Sequence, residues 1–490
     1  MKEKKAIYLL ILSVIVLISI IYFYERVSEK DCIYNEIICV GSGVSSAYIC
    51  YKLKKDGYKK NILVLERENV MGGRLYSVFS DENKTESLEV TYDELGAMRL
   101  FKENAMNQVF DILSELNIET IPVGLKDKNN IFYYDGEHYR KEDVKLENGM
   151  SFEEMKQTAL NNVRLEYPNF TYDTILDYPE IIKMNIYEYY GKYANISEDD
   201  INKFKVYDGY DFLDNDTSIA VYLIYGNWLT SNKSDQQVYV KNGIVNIVKK
   251  MFEKSNSKIE FNTNVVFIEK TNDNYNLIHT INKDHEYTCY KCKYLFLGVT
   301  PRTINELNTI KQLPISGKRL EMINQTKQVP LMKIFLKWDK DKIWWREKGF
   351  KEGKSTTDLE GRMIHYYNDE NILVYNSGKY ARSLYLKFLE NPAAASRYVF
   401  LMIQKVHPFP IPEPNYVFTL WKYWPDGVYV WKNNANIKLN IKDIPNGEID
   451  KSNIYIVGDS YSKYQGWVIG SIESADIGLD IFEKSYNSHK

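Results

Sequence analysis

Apolar positions along the chain fall into short unbroken runs separated by stretches in which they recur at helical spacing. The longest run comes first. From Ala6 to Tyr24, "AIYLLILSVIVLISIIYFY" has no charge over about 19 residues, close to the ~20 that a helix needs to cross a bilayer. Its exit, "YFYERVSEK", has no small-residue cleavage site, so the run predicts an uncleaved signal-anchor rather than a cleaved signal peptide. Lys2, Lys4 and Lys5 lie before it, while Glu25, Arg26, Glu29 and Lys30 follow. That bias predicts a single pass with the amino terminus in the cytoplasm and the body luminal or extracellular. Just beyond, residues 36–40 form a short apolar run suited to a buried parallel strand. A helical pattern continues through Tyr51 and Leu53, and "NILVL" supplies a second strand. Near the far end, residues 453–482 read as a strand, a glycine-acid turn, a Gly-Trp pair and a helix. Between them, "MSFEEMKQTALNNVRLEY" is loosely helical, and "LMKIFL" is an apolar strand interrupted by Lys333.

Composition adds less. The chain has 490 residues, enough for a large core and two or three subdomains. Its net charge of −3 offers no basic field for nucleic acid. The 41 tyrosines, with abundant Asn, Lys and Ile, reflect an A/T-rich coding sequence and carry no function. Six sequons, at Asn83, Asn169, Asn195, Asn215, Asn232 and Asn324, fit a luminal body. Cys39 and Cys50 lie on apolar stretches and are expected in the core. Cys289 and Cys292 form a lone CxxC; zinc would need a second pair, so free thiols or a local disulfide are expected, and no metal site.

Chemistry concentrates at the glycines. Gly41 and Gly43 follow the first strand and permit the tight turn through which backbone amides approach a pyrophosphate at a helix N-terminus. The third fingerprint position is Ser46, small enough for close helix–strand packing, and Glu66 ends the second strand, where it can hold a ribose diol. "ENVMGGRLYS" continues from there with Gly72, Gly73 and Arg74, a further anion-binding turn. Residues 94–100, "ELGAMRL", then set Arg99 among small and apolar residues. Arg99 either opens a helix on the surface or places a cation where a ligand needs one.

The paired glycine motifs at the start, together with "NIYIVGDSYSKYQGWVIGSIESADIGLDIF" at the end, resemble the flavin-containing amine oxidase family. Within it the L-amino-acid oxidases are most similar, through "EGKSTTDLEGRMIHYYND", "PLMKIFLKW", "IEFNTNVVFIEK" and "KYLFLGVTPRTI". The resemblance implies an α/β fold: a discontinuous Rossmann-type FAD-binding domain, a mixed-sheet substrate domain and a helical insert, here preceded by one transmembrane helix. The expected segments are 1–30 (cytoplasmic tip and anchor), 31–128, 236–300 and 451–490 (FAD-binding), 129–235 (helical insert with substrate-domain segments) and 301–450 (substrate-binding).

FAD is the implied cofactor. The resemblance places Gly41, Gly43, Ser46, Glu66, Arg67, Gly73, Arg74, Gly96, Ala97, Met98 and Arg99 against it in the first half. Val265 would meet the adenine, and Gly458, Asp459, Gly466, Trp467, Val468, Ile469, Gly470 and Ser471 would close over the cofactor from the other half. Asp459 stands where the family has a glutamate and is one methylene shorter, which implies a water-mediated contact.

An amino-acid substrate brings a carboxylate into a poorly solvated site, where it must be paired. Arginine matches it bidentately. By resemblance that residue is Arg99, aided by Tyr366, or by Tyr367 if the register slips by one. Lys333 would hold a water near the flavin, and Trp467, with Trp424 and Tyr429, would wall the substrate site. The implied reaction is oxidation of an L-amino acid by oxygen to the imino acid, then the 2-oxo acid and ammonia, with hydrogen peroxide. A monoamine or polyamine oxidase and a non-catalytic anchored flavoprotein are the alternatives. A homodimer is left open. Departures are Val329, four positions before the lysine, where some members are basic; Phe101, where a proline is usual; and the lack of a placeable general-base histidine in the helical insert.

Overall fold

The computed structural model describes residues 31–79, 92–123, 128–230, 237–351, 353–366 and 370–488. The expected anchor, Asn83, Asn232 and Tyr367 lie outside these. Among the described residues no helix is long and apolar enough to cross a membrane.

The apolar runs near the two chain ends meet in one parallel sheet. Its five strands run in the order Lys258–Glu260, Ile62–Leu65, Ile37–Val40, Tyr294–Leu297 and Ile454–Ile456. Side chains alternate across a strand, and here both faces are covered, which is why these segments read as continuous apolar runs. Ile37, Cys39, Ile62 and Val64 pack against the helices Val44–Lys55, Asn246–Ser255 and Val468–Ser488. Ile38, Val40, Leu63 and Leu65 share the opposite core with Ile268, Ile278 and Tyr290 of a second, four-stranded sheet.

That second sheet carries a correction. Cys289 is bonded to Cys32, 257 residues away, and Cys292 is a free buried thiol. The local CxxC disulfide fails for a geometric reason. Both residues lie on the strand Tyr287–Cys292, and positions three apart on a strand point to opposite faces. Ile33 pairs with Tyr290, which sets Cys32 opposite Cys289. Cys39 and Cys50 are in the core, as expected.

A seven-stranded mixed sheet forms the second body, in the order Leu420–Trp431, Thr326–Lys337, Asn371–Ser377, Met363–His365, Lys354–Thr357, Ile131–Tyr134 and Glu137–Arg140. One face is sealed by the helices Gly378–Glu390 and Pro392–Val406, through Ile334, Ile364 and Val374 against Ala381, Leu384 and Val399. The other face looks toward the nucleotide sheet. The loosely helical stretch contains Phe152–Glu166, opened by a Ser151–Glu154 capping box, and continues through Ile186–Ala194, Glu198–Asp208 and Ile219–Thr230. The sequons at Asn169, Asn195, Asn215 and Asn324 are exposed.

Candidate active site

A cavity of about 670 Å³ runs from the carboxyl ends of the parallel strands to the inner face of the seven-stranded sheet. At the nucleotide end, Gly41 has φ 88° and a Cβ there would lie 2.8 Å from the Gly298 carbonyl oxygen, so only glycine fits the turn. Glu66 accepts from the Ser42 amide (2.7 Å) and hydroxyl (2.6 Å) and from the Glu68 amide (2.8 Å), which fixes its carboxylate at the strand end. Ser46 is buried off the cavity. The room it takes is returned by its neighbour, since a Cβ on Gly298 would sit 2.5 Å from Ser46 Oγ. The glycine missing from the helix is present on the facing loop.

The two chain halves join at Asp459. Its carboxylate is ion-paired with Arg74 and accepts from the Gly466 amide at 2.9 Å. This pairing fixes the carboxylate on the cavity wall. Gly96 donates to the Tyr76 carbonyl at 2.9 Å and has no room for a Cβ, which would lie 2.2 Å from the Arg74 carbonyl oxygen. Gly43, Arg67, Gly73, Ala97, Met98, Val265, Gly458, Trp467, Val468 and Ser471 also line the cavity. Ile469 and Gly470 do not: Ile469 is in the core, and Gly470 packs where a Cβ would lie 2.2 Å from the Tyr464 carbonyl oxygen.

At the other end Lys333 is buried and donates to the carbonyls of Glu94 (2.9 Å) and Gly96 (2.5 Å). Burial pushes it down to about 7, with Glu94 opposing and Arg99 adding to the fall. Burial likewise pushes Glu94 up to about 7, though its carboxylate accepts from the Ile244 amide and Ser77 hydroxyl, both at 2.7 Å. Trp424 lines the cavity and donates to the Leu95 carbonyl at 2.7 Å, and Trp467 lies edge-on to Phe101. Tyr429 is not on the wall; it stands behind Asp426, which is, and donates its hydroxyl to that carboxylate at 2.6 Å.

Arg99 is on the cavity wall, not on the solvent surface. Among the described residues no carboxylate lies within ion-pair distance of it. Its charge acts on Tyr210, Tyr375, Lys333 and the buried, neutral His365.

Tyr366 requires a correction. It is buried on the far face of the sheet, where its hydroxyl bonds Ser355 Oγ (2.6 Å) and His407 Nε2 (2.8 Å) within the helix-covered core. Strand alternation decides this: Ile364 and Tyr366 face the helices, and His365 faces the other way. The tyrosine beside Arg99 is Tyr375, paired across the sheet with Lys333. Tyr210 and Asp208, on the wall from the helical segment, were also missed. No local motif marks them; the alternation around "IHYY" was the one usable signal.

The glycine turns, the fixed Glu66 and the clasp of Asp459 by Arg74 form a cradle for a dinucleotide that opens onto a lysine- and aromatic-walled chamber. Such a fold and site define a flavoprotein oxidoreductase. Residues 42–477 match the profile of the flavin-containing amine oxidoreductases, and the chain belongs to that family. FAD is its cofactor. Uncharacterized protein R188 of Acanthamoeba polyphaga mimivirus is 24% identical, over 92% of this chain and 94% of its own. L-amino acid oxidase Bs29 of Bothriechis schlegelii is 23% identical, over 69% of this chain and 66% of its own. A double mutant of putrescine oxidase, made in a redesign of cofactor binding, superposes with TM-score 0.67 at 14% identity, covering 92% of this chain and 100% of the other. That last likeness is one of fold.

Proposed function

We propose that the protein oxidises the α-carbon of an L-amino acid. The reading rests on Arg99, a cation on the cavity wall with no carboxylate partner among the described residues. A substrate carboxylate entering the chamber loses water and needs such a group, and the planar guanidinium receives it bidentately. Tyr375 and Tyr210 stand beside it as hydroxyl donors. The name of the Bothriechis relative agrees. A simple amine, as the putrescine oxidase likeness would suggest, leaves Arg99 without a partner.

Bound FAD would supply the two-electron acceptor for the Cα hydride, with oxygen as the final acceptor of those electrons and of two protons as hydrogen peroxide. The chain's part is placement and charge. Arg99 anchors the carboxylate, Trp424 and Trp467 confine the substrate, and the positive field of Arg99 and Lys333 favours the neutral substrate amine. A neutral amine forms its C=N bond from the nitrogen lone pair, and no general base is needed to free it. Water then adds to the C=N carbon of the imino acid, and the adduct loses ammonia to leave the 2-oxo acid. Lys333, held by two carbonyls, presents its amine toward the chamber, where it orients water.

Anaerobic mixing with a panel of L-amino acids tests this: the flavin absorbance bleaches with at least one. Bleaching by a simple amine and by no amino acid overturns the reading. A luminal or extracellular body, anchored through residues 6–24, is part of the proposal. Its support is the Cys32–Cys289 disulfide and the exposed sequons, chemistry of an oxidising compartment. A protein recovered from its native membrane with Cys32 reduced and no glycan would count against that.

A further inference from the structure

We infer that the preferred substrate is an L-amino acid whose side chain ends in a positive charge, and that Asp208 holds this charge. The inference rests on the amino-acid reading above and extends it to the other end of the substrate.

Asp208 is the last residue of the helix Glu198–Asp208 and lines the cavity. Gly209 turns left-handed there, with φ 89°, and a Cβ on it would lie 2.4 Å from Met363 Cγ. The helix therefore ends at this point, and Asp208 and Tyr210 fall on the cavity wall together. A carboxylate at a helix C-terminus faces the negative end of the helix dipole. One of its oxygens, Oδ2, is shut off from solvent and has no hydrogen-bond partner. The side chain as a whole is half-buried on the cavity wall, and a carboxylate at that end of a helix is better placed when a cation meets it.

Lys141 and Lys354 act on this carboxylate by charge, but among the described residues no cation forms an ion pair with it. Lys354 Nζ donates to the Asp208 main-chain carbonyl at 2.6 Å, not to its carboxylate, and lies behind the cavity wall. Arg362 is committed to Asp211, at 2.8 Å from Nε. The remaining route to Asp208 is the cavity. Along it stand Tyr210, Phe212 and Tyr222, whose ring faces suit an alkyl chain ending in ammonium or guanidinium. Arg99 and Asp208 both act on Tyr210, with opposite sign. One chamber thus offers a cation for a carboxylate and an anion for a side-chain cation. Lysine, ornithine and arginine carry that pair of charges; glutamate would set like charges together at Asp208.

The test uses the FAD-loaded enzyme, measuring kcat/KM and anaerobic flavin reduction with L-lysine, L-ornithine, L-leucine and cadaverine (lysine without its carboxylate). L-Lysine exceeds L-leucine, and Asp208→Asn lowers the lysine-to-leucine ratio about 100-fold, the worth of a hydrogen bond to a charged group. Asp208→Glu keeps the charge but extends it by one methylene, so it shifts preference from lysine toward ornithine. Leucine preferred by the wild type, or ratios unmoved by both variants, overturns the assignment of Asp208 and leaves the amino-acid reading standing. Reduction by cadaverine and not by lysine overturns the amino-acid reading, and this inference with it.

Discussion

Replacing Arg99 by alanine deletes the cation against which an amino-acid carboxylate would dock. The chamber is closed on the sheet side by Lys333 and Tyr375 and on the helical side by Tyr210, so a carboxylate left there cannot recover its water. Removing one partner of a buried, hydrogen-bonded ion pair costs ~3–5 kcal/mol. Tyr210 and Tyr375 retain their hydroxyls and offset part of this, which sets the loss near 3 kcal/mol, or about 150-fold in kcat/KM at ~1.4 kcal/mol per decade. Peroxide release gives the steady-state value; the concentration dependence of anaerobic flavin reduction separates binding from hydride transfer. Arg99→Lys, with charge but no fork, falls between. A second readout is independent of binding. The Arg99 charge pushes Lys333 down, so its removal moves the Lys333 limb of the pH–rate profile to higher pH. A fall of under about 3-fold with amino acids refutes the assignment of Arg99.

Three further outcomes follow from the site. Tyr366→Phe loses hydrogen bonds to Ser355 and His407 in the core, so it costs ~1–2 kcal/mol in urea unfolding and leaves kcat/KM unchanged, whereas Tyr375→Phe lowers kcat/KM. Equal kinetic losses from both would refute the placement of these rings. Gly298→Ala drives a methyl group into Ser46 Oγ and destabilises the FAD-loaded protein by ~1–3 kcal/mol, and Ser46→Gly restores it; a double variant as unstable as the single one refutes the pairing. For the buried pair, Glu94 is raised to about 7, so its contribution to stability falls as pH rises from its ordinary range through 7. Lys333 is lowered to about 7, so its contribution is lost as pH falls from its ordinary range toward 7. The two slopes form a trough near neutrality. Glu94→Gln therefore matches the wild-type melting temperature at about pH 5 and exceeds it at about pH 8; identical curves refute the trough.

The nucleotide half was legible because its constraints are local. A parallel strand buried on both faces must read as an apolar run, and Gly41 is dictated by its own φ and by the Gly298 carbonyl. For Arg99 the residues alone left two readings open, a surface helix start or a ligand cation, and the family resemblance chose between them. Pairings between distant strands were not legible. Which tyrosine meets Arg99 depends on the register Lys333↔Tyr375, and the partner of Cys289 depends on the register Ile33↔Tyr290. Neither register leaves a mark in a single sequence. That Ser46 fits in place of the fingerprint glycine is readable from its size, but the glycine that makes room for it, Gly298, stands 252 residues further along.

The Cys32–Cys289 bond also has a mechanical meaning. Any tension arriving from residues before Asp31 meets a covalent junction five residues ahead of Ile37, where the central strand of the parallel sheet begins. The load passes sideways into the strand Tyr287–Cys292 and spreads through the four-stranded sheet. Ile37–Val40 and the glycine turn that follows it are thereby relieved of strain. With the bond cut, only the hydrogen bonds of Ile33–Tyr34 and Asn35 to the strand Tyr287–Cys292 would share that pull before it reached the central strand. The disulfide thus ties the chain to a second sheet before the central strand and its glycine turn begin.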